Sequence, residues 1–90
     1  MQDWSVYILR CADGSLYTGI ARDVDKRINE HNHNDKLAAK YTRGRRPLEL
    51  VYREDGLSRG DALRREIQIK RMRRKGKESV IYSKLNKLTF

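Results

Sequence analysis

Five side chains in this 90-residue chain have the types and spacing to act on a charged substrate. Tyr7 and Tyr17 each sit in a short β-prone run, Ser5-Val6-Tyr7-Ile8-Leu9 and Leu16-Tyr17-Thr18. A phenol can donate or accept a hydrogen bond and, when ionised, take a proton, although packing a half-buried hairpin would also explain both rings. Arg27 falls on a helical stripe with Val24, Ile28 and His31. A guanidinium on such a stripe is costly unless a polar or anionic group meets it, or unless it snorkels from the stripe edge. His31, one turn on, has a structural reading as a helix C-terminal cation favoured by the macrodipole. Glu66 is one turn from Ala62 and from Ile69. With Lys70 four residues on, it can instead form a surface ion pair of about 0.3–0.5 kcal/mol.

The elements that must position these groups begin with a hairpin, because Asp13-Gly14 separates the two tyrosine-bearing runs. Two registers are open. A two-residue turn sets Arg10 opposite Tyr17 and points the tyrosines to opposite faces. A three-residue loop, with Gly14 left-handed, pairs Cys11 with Ser15, Leu9 with Tyr17 and Tyr7 with Gly19, so both tyrosines share a face. The second is expected, because Gly19 leaves space beside Tyr7. Asp23 is a fitting N-cap for the Arg27 helix, which His31-Asn32-His33-Asn34-Asp35 brings to an end. Lys36 to Arg46 reads as a basic, aromatic loop, either merely solvated or contacting phosphate through Lys40, Tyr41, Arg43, Arg45 and Arg46. Pro47 should precede a third strand, with Leu48, Leu50 and Tyr52 alternating against Glu49 and Val51, and Asp55-Gly56 should then turn the chain. Ser58 and Asp61 form a near capping box opening a helix to about Lys75, with Ala62, Leu63, Ile67 and Ile69 on its apolar side. A basic run, Arg71, Arg73, Arg74, Lys75 and Lys77, is read as ended by Gly76; it is a solvated face or an extension of a nucleic-acid surface. A last helix is expected within Glu78–Asn86, through Val80, Ile81 and Leu85.

Composition narrows the partner. The chain carries 37% charged and 38% hydrophobic residues, enough to fold as one small domain over 1–90. Its formal net charge of +9 favours a polyanion, nucleic acid above all, over an acidic protein or a lipid surface. Cys11 is the only cysteine, which excludes a disulfide within the chain and a cysteine-built zinc site. The pair His31 and His33 lacks an obvious third metal ligand. No run approaches a membrane span and no signal-like N-terminus precedes the first strand, so the expected compartment is the cytoplasm.

Val6-Tyr7-Ile8 followed by Tyr17-Thr18-Gly19 resembles the two-part signature of the GIY-YIG nuclease superfamily, with its first and middle letters relaxed. The strings VYILRC, DGSLYTGI, KYTRGRRPLELVY and ALRREIQIK are similar to small stand-alone bacterial members, and the resemblance covers almost the whole chain. It implies an α+β fold, a three-stranded antiparallel sheet flanked by helices. It also implies that Arg27, ten residues past Tyr17, is a phosphate-binding arginine, that His31 occupies a position often histidine, and that Glu66 is the metal-holding glutamate with Lys70 one turn later. One departure stands out: where some members place an asparagine, this chain has Glu78.

The resulting expectation is a metal-dependent endonuclease acting on DNA, with RNA a second candidate. Glu66 and water would hold one Mg2+ or Mn2+, and Arg27 would stabilise the transition-state charge. Tyr7 would activate water while Tyr17 holds a phosphate oxygen, or the reverse, and His31 would orient water or phosphate. A phenol titrates near pKa 10, so a base needs positive charge beside it. Two other classes compete: a nucleic-acid-binding module with this fold and little or no catalysis, and an interaction protein with an acidic partner. Oligomeric state stays open.

Overall fold

Asp13 closes the first hairpin by accepting the Ser15 amide at 3.0 Å and the Ser15 hydroxyl at 2.6 Å. Gly14 takes φ +84°, a left-handed conformation that suits glycine, and the Cys11 amide donates to the Ser15 carbonyl at 2.8 Å. In this computed structural model, which describes residues 3–88, the loop therefore has three residues. Strands β1 (Trp4–Arg10) and β2 (Leu16–Ala21) pair antiparallel, with Leu9 opposite Tyr17 and Tyr7 opposite Gly19. This is the expected register.

Strand β3 (Glu49–Leu57) pairs with the other side of β1, giving the order β2-β1-β3. As the central strand, β1 is buried without interruption from Ser5 to Leu9. Two expectations for β3 are corrected. Asp55-Gly56 does not turn the chain: Trp4 faces Leu57 and Val6 faces Glu54, so an extra residue is absorbed as a bulge, with Gly56 at φ +76°. Nor does the alternation hold beyond Leu50. A second shift, between Ile8–Tyr52 and Leu9–Leu50, leaves Val51 over. Val51 and Tyr52 consequently share one core with Val6, Ile8, Ile69 and Ile81, while Leu48 and Leu50 join Tyr7, Leu9, Ala21 and Val24 in the other.

These two cores are the two faces of the sheet. Helix α1 (Val24–His33) covers the Tyr7 face and is followed by one turn, α2 (Lys40–Arg43), inside the segment expected as a loop. Helices α3 (Arg59–Lys70) and α4 (Arg74–Ile81) cover the other face. Ser58 caps α3 by accepting the Asp61 amide at 3.1 Å, but the helix stops at Lys70, short of the expected end. Gly76, read as a stop, lies inside α4, which starts and ends earlier than expected. A Cβ there would stand 3.2 Å from the Met72 Cβ, so its absence lets α4 pack closely on the preceding turn. Ile67, expected on the apolar side of α3, is 46% exposed. Asn86 ties the C-terminal segment to β3, donating to the Val51 and Ile81 carbonyls at 2.9 and 2.8 Å. Among the described residues, no helix is long and apolar enough to cross a membrane.

Candidate active site

Sheet order leaves β2 as an edge, and α1 from one face and α3 from the other both pack against it. Tyr7 reaches towards this edge from the central strand, because Gly19 lets it. A Cβ on Gly19 would fall 2.5 Å from the Tyr7 hydroxyl oxygen, so the phenol lies directly over that glycine. Asp23 caps α1 by accepting the Lys26 amide at 3.0 Å, which sets the helix phase and points Arg27 and His31 to the same side.

His31 is fully buried, and both its ring nitrogens are engaged inside the protein. Nε2 lies 3.0 Å from the Tyr7 hydroxyl. Nδ1 lies 3.2 Å from the Thr42 hydroxyl and 3.3 Å from the Ala39 amide nitrogen, while the Thr42 hydroxyl donates to the Ala39 carbonyl at 2.8 Å. The Ala39 N–H can only donate, so we assign Nδ1 as its acceptor and the ring proton to Nε2. Burial, reinforced by Arg27, lowers the His31 pKa to about 4, which keeps the ring neutral. The helix-terminal cation reading therefore fails, and so does direct orientation of water or phosphate by His31: its Nε2–H donates to the Tyr7 oxygen. The Tyr7 proton is left for another acceptor. His33 is exposed, so the two histidines do not form a metal clamp.

Burial raises the Tyr7 pKa well above the ordinary phenol range; Tyr17 and Glu66 add to this and Arg27 opposes it. Tyr17 is also raised, chiefly by burial, with Arg27 lowering and Glu66 raising it. Both phenols thus feel the same guanidinium and the same carboxylate. Arg27 is held in place by Glu30 at 3.0 Å and by the Leu37 carbonyl at 2.6 Å. The Glu66 side chain is 18% exposed and lies 3.6 Å from Lys70. Its ion pair exists, but on a largely covered carboxylate. Tyr17 packs edge-on against His31 at 5.2 Å and stacks with Tyr41 at 6.0 Å. Tyr7, Tyr17, Arg27 and His31 thus gather on one side of the sheet, and the charge of Glu66 acts on both phenols.

The basic residues divide. Lys40, Tyr41 and Arg43 are exposed on α2, and Lys70 is exposed on α3. Arg45 lies over the Tyr41 ring at 4.0 Å and pairs with Asp13 at 3.1 Å. Arg46 turns inward, donating to the His31 carbonyl and to Asp35, each at 2.7 Å. Glu78, at the departing position, pairs with Arg74 at 3.0 Å and Arg10 at 3.4 Å. Thr42 and Glu30, which position His31 and Arg27, carried no assignment from sequence. Thr42 is the one small hydroxyl residue in a basic run too short to show periodicity.

Among the described residues no three His, Cys, Asp or Glu side chains gather. One largely covered carboxylate, Glu66, nevertheless suits a hard divalent ion, which keeps most of its own water.

Residues 3–79 match the GIY-YIG catalytic domain, and the chain belongs to that family. Its members are generally endonucleases and typically use a divalent metal. Among individual proteins, the chain is 54% identical over 69 residues to a UPF0213 protein of Desulfotalea psychrophila, across 77% of this chain and 62% of that relative. It is 49% identical over 76 residues to one from Staphylococcus saprophyticus, covering 84% of this chain and 90% of that protein. It also resembles the solution NMR structure of a UPF0213 protein from Bacillus halodurans, with a TM-score of 0.58, 44% identity, and coverage of 91% of this chain and 85% of that one.

Proposed function

We propose that this protein hydrolyses phosphodiester bonds in DNA, with RNA as a second candidate polymer, at the β2 edge. The observation that carries the reading is that the Tyr7 hydroxyl lies over Gly19 and 3.0 Å from His31 Nε2, with the Tyr17 ring packed on the same imidazole and Arg27 one turn away on α1. Arg27 binds the scissile phosphate, its planar fork spanning two oxygens and its charge meeting the negative charge that grows at phosphorus. Tyr17 donates to a phosphate oxygen. Tyr7 takes the proton of the attacking water, the new P–O bond forms as the bond to the leaving oxygen breaks, and solvent protonates that oxygen. In the free protein Tyr7 is a neutral phenol, so this role requires its ionised form. The Nε2–H of His31 favours that form by donating to the Tyr7 oxygen. Glu66, with water, would hold Mg2+ or Mn2+, and when bound such an ion supplies positive charge beside the phosphate and the phenols.

The test is incubation of a panel of labelled, structured DNAs and RNAs with and without Mn2+, with Glu66→Gln as the contaminant control. Metal-dependent scission by the wild type alone is the expected result. Binding without scission distinguishable from Glu66→Gln would overturn hydrolysis and leave a nucleic-acid-binding module.

A further inference from the structure

Tyr17 borders a second feature, a cavity of about 330 Å3 lined by Leu16, Tyr17, Thr18, Tyr41, Lys70 and Lys77. Two lysines from different helices, Lys70 of α3 and Lys77 of α4, line it, with no carboxylate in the lining. Lys70 has only Glu66, at 3.6 Å, as an ion partner. Lys77 is half-buried and, among the described residues, joins no ion pair. Two cations facing one cavity repel each other, and a bound anion relieves that repulsion.

The fold delivers Lys77 there deliberately. Arg74 Nη1 donates to the Gly14 carbonyl at 2.7 Å, pinning the start of α4 to the hairpin loop. Lys77, one helical turn later, is thereby brought beside the first residues of β2. The other cations of this basic run differ: Arg71, Arg73 and Lys75 are exposed outside the cavity, and Arg74 is occupied by Gly14 and Glu78. The remaining walls are Leu16, Thr18 and two tyrosines, apolar surface with hydroxyl tips, which suit a sugar–phosphate unit better than a bare inorganic anion. Because Tyr17 lines this cavity and also belongs to the Arg27 cluster, a strand bound at one is within reach of the other.

We infer that the Lys70–Lys77 cavity is a second phosphate subsite, holding the phosphodiester next to the scissile one and so fixing the direction in which a strand crosses the β2 edge. This rests on the nucleic-acid reading of the site, but not on hydrolysis.

Two measurements decide it. In metal-free buffer, the log–log salt slope of oligonucleotide binding should fall by about 0.7–0.9 for Lys77→Gln, the loss of one phosphate contact. It should be unchanged for Lys75→Gln, from the same run, and retained by Lys77→Arg, which keeps the charge and controls for folding. Equal slopes for both glutamine variants overturn the subsite. A protein that binds through Lys77 yet cuts nothing keeps the subsite and loses the hydrolase reading. Where cleavage occurs, single neutral methylphosphonate linkages are placed on either side of the cut. Suppression from one side only, abolished in Lys77→Gln, is expected. Suppression that is symmetric or indifferent to Lys77 overturns the adjacent placement.

Discussion

Behind Tyr7, the phenol, both nitrogens of His31 and the Thr42 hydroxyl bond to one another or to backbone. At Glu66, Lys70 and Lys77 the charges face a cavity, solvent or a neighbour at 3.6 Å. The two regions border the same edge strand and are built for different work. The buried side fixes where protons sit before any substrate arrives, since a dry, fully bonded network has few alternatives. The open side holds charge that only a phosphate and a cation can complete.

Damage to the buried side should be the most severe. Tyr7→Phe keeps the ring but removes the only group there that can take the proton, and Arg27→Lys loses the planar fork. Each should slow cleavage about a hundredfold or more while leaving the fold intact, as for loss of a general base or an oxyanion donor. Gly19→Ala should match Tyr7→Phe although it touches no substrate, because its Cβ would stand 2.5 Å from the Tyr7 hydroxyl oxygen and force the buried phenol aside. Single-turnover kinetics beside a thermal melt would check this; wild-type cleavage in Gly19→Ala would show that Tyr7 need not lie there.

A second expected outcome concerns acid. His31 has a folded pKa near 4 against an ordinary 6.5, so the unfolded chain takes up the proton first. Stability should be full above about pH 6.5 and fall as pH drops towards 4, by up to about 3 kcal/mol. The cause is burial first, then Arg27 and Arg46, with Glu30 opposing. Urea melts at pH 7 and pH 5 should show the loss in the wild type. A fully folded His31→Gln variant should lose less over that interval; an equal loss would mean that His31 is not the group responsible.

Thr42 is a smaller lever on the same network. Thr42→Val is nearly isosteric but removes the hydroxyl that holds the Ala39 carbonyl, and so the residue whose amide donates to Nδ1, whereas Thr42→Ser retains it. Valine should cost about 1 kcal/mol of stability. It should also slow cleavage about tenfold, equivalent to some 1.4 kcal/mol in the barrier, with serine close to wild type. Nitrogen NMR of the imidazole would report whether the Nε2–H form is lost along with the rate.

The contrast between the regions also explains what could be seen in the sequence. The hairpin register followed from the Asp13-Gly14 loop and from Gly19, both local features. The phase of α1 followed from Asp23 and the Val24–His31 stripe, and the inward side of α3 from Glu66 lying between Ala62 and Ile69. Glycine misled twice, because its use depends on tertiary neighbours. Gly56 serves a bulge in β3 that only pairing with β1 reveals, and Gly76 serves a close approach to Met72 inside a helix. Thr42 was hidden for the same reason: its partner is eleven residues away on another helix. Among the arginines of one basic run, no sequence signal separates a group that binds outward from one that bonds inward.

That last distinction gives the mildest and most selective expectation. Arg43 is exposed on α2, whereas Arg46 donates to the His31 carbonyl and to Asp35. If the open side contacts phosphate, Arg43→Ala should lower the salt slope of oligonucleotide binding by about 0.7–0.9 with no change in melting temperature. Arg46→Ala should do the converse. Its slope should stay near wild type, but it should lose about 1.5–3 kcal/mol of stability, because a charge-assisted bond to the helix that carries His31 is gone. Loss of that bond also frees the end of α1, so cleavage by Arg46→Ala should fall with the melt rather than with the binding slope. Equal slope changes for the two variants would place Arg46 on the outer surface and erase the division between a region that orders the protein and one that meets its substrate.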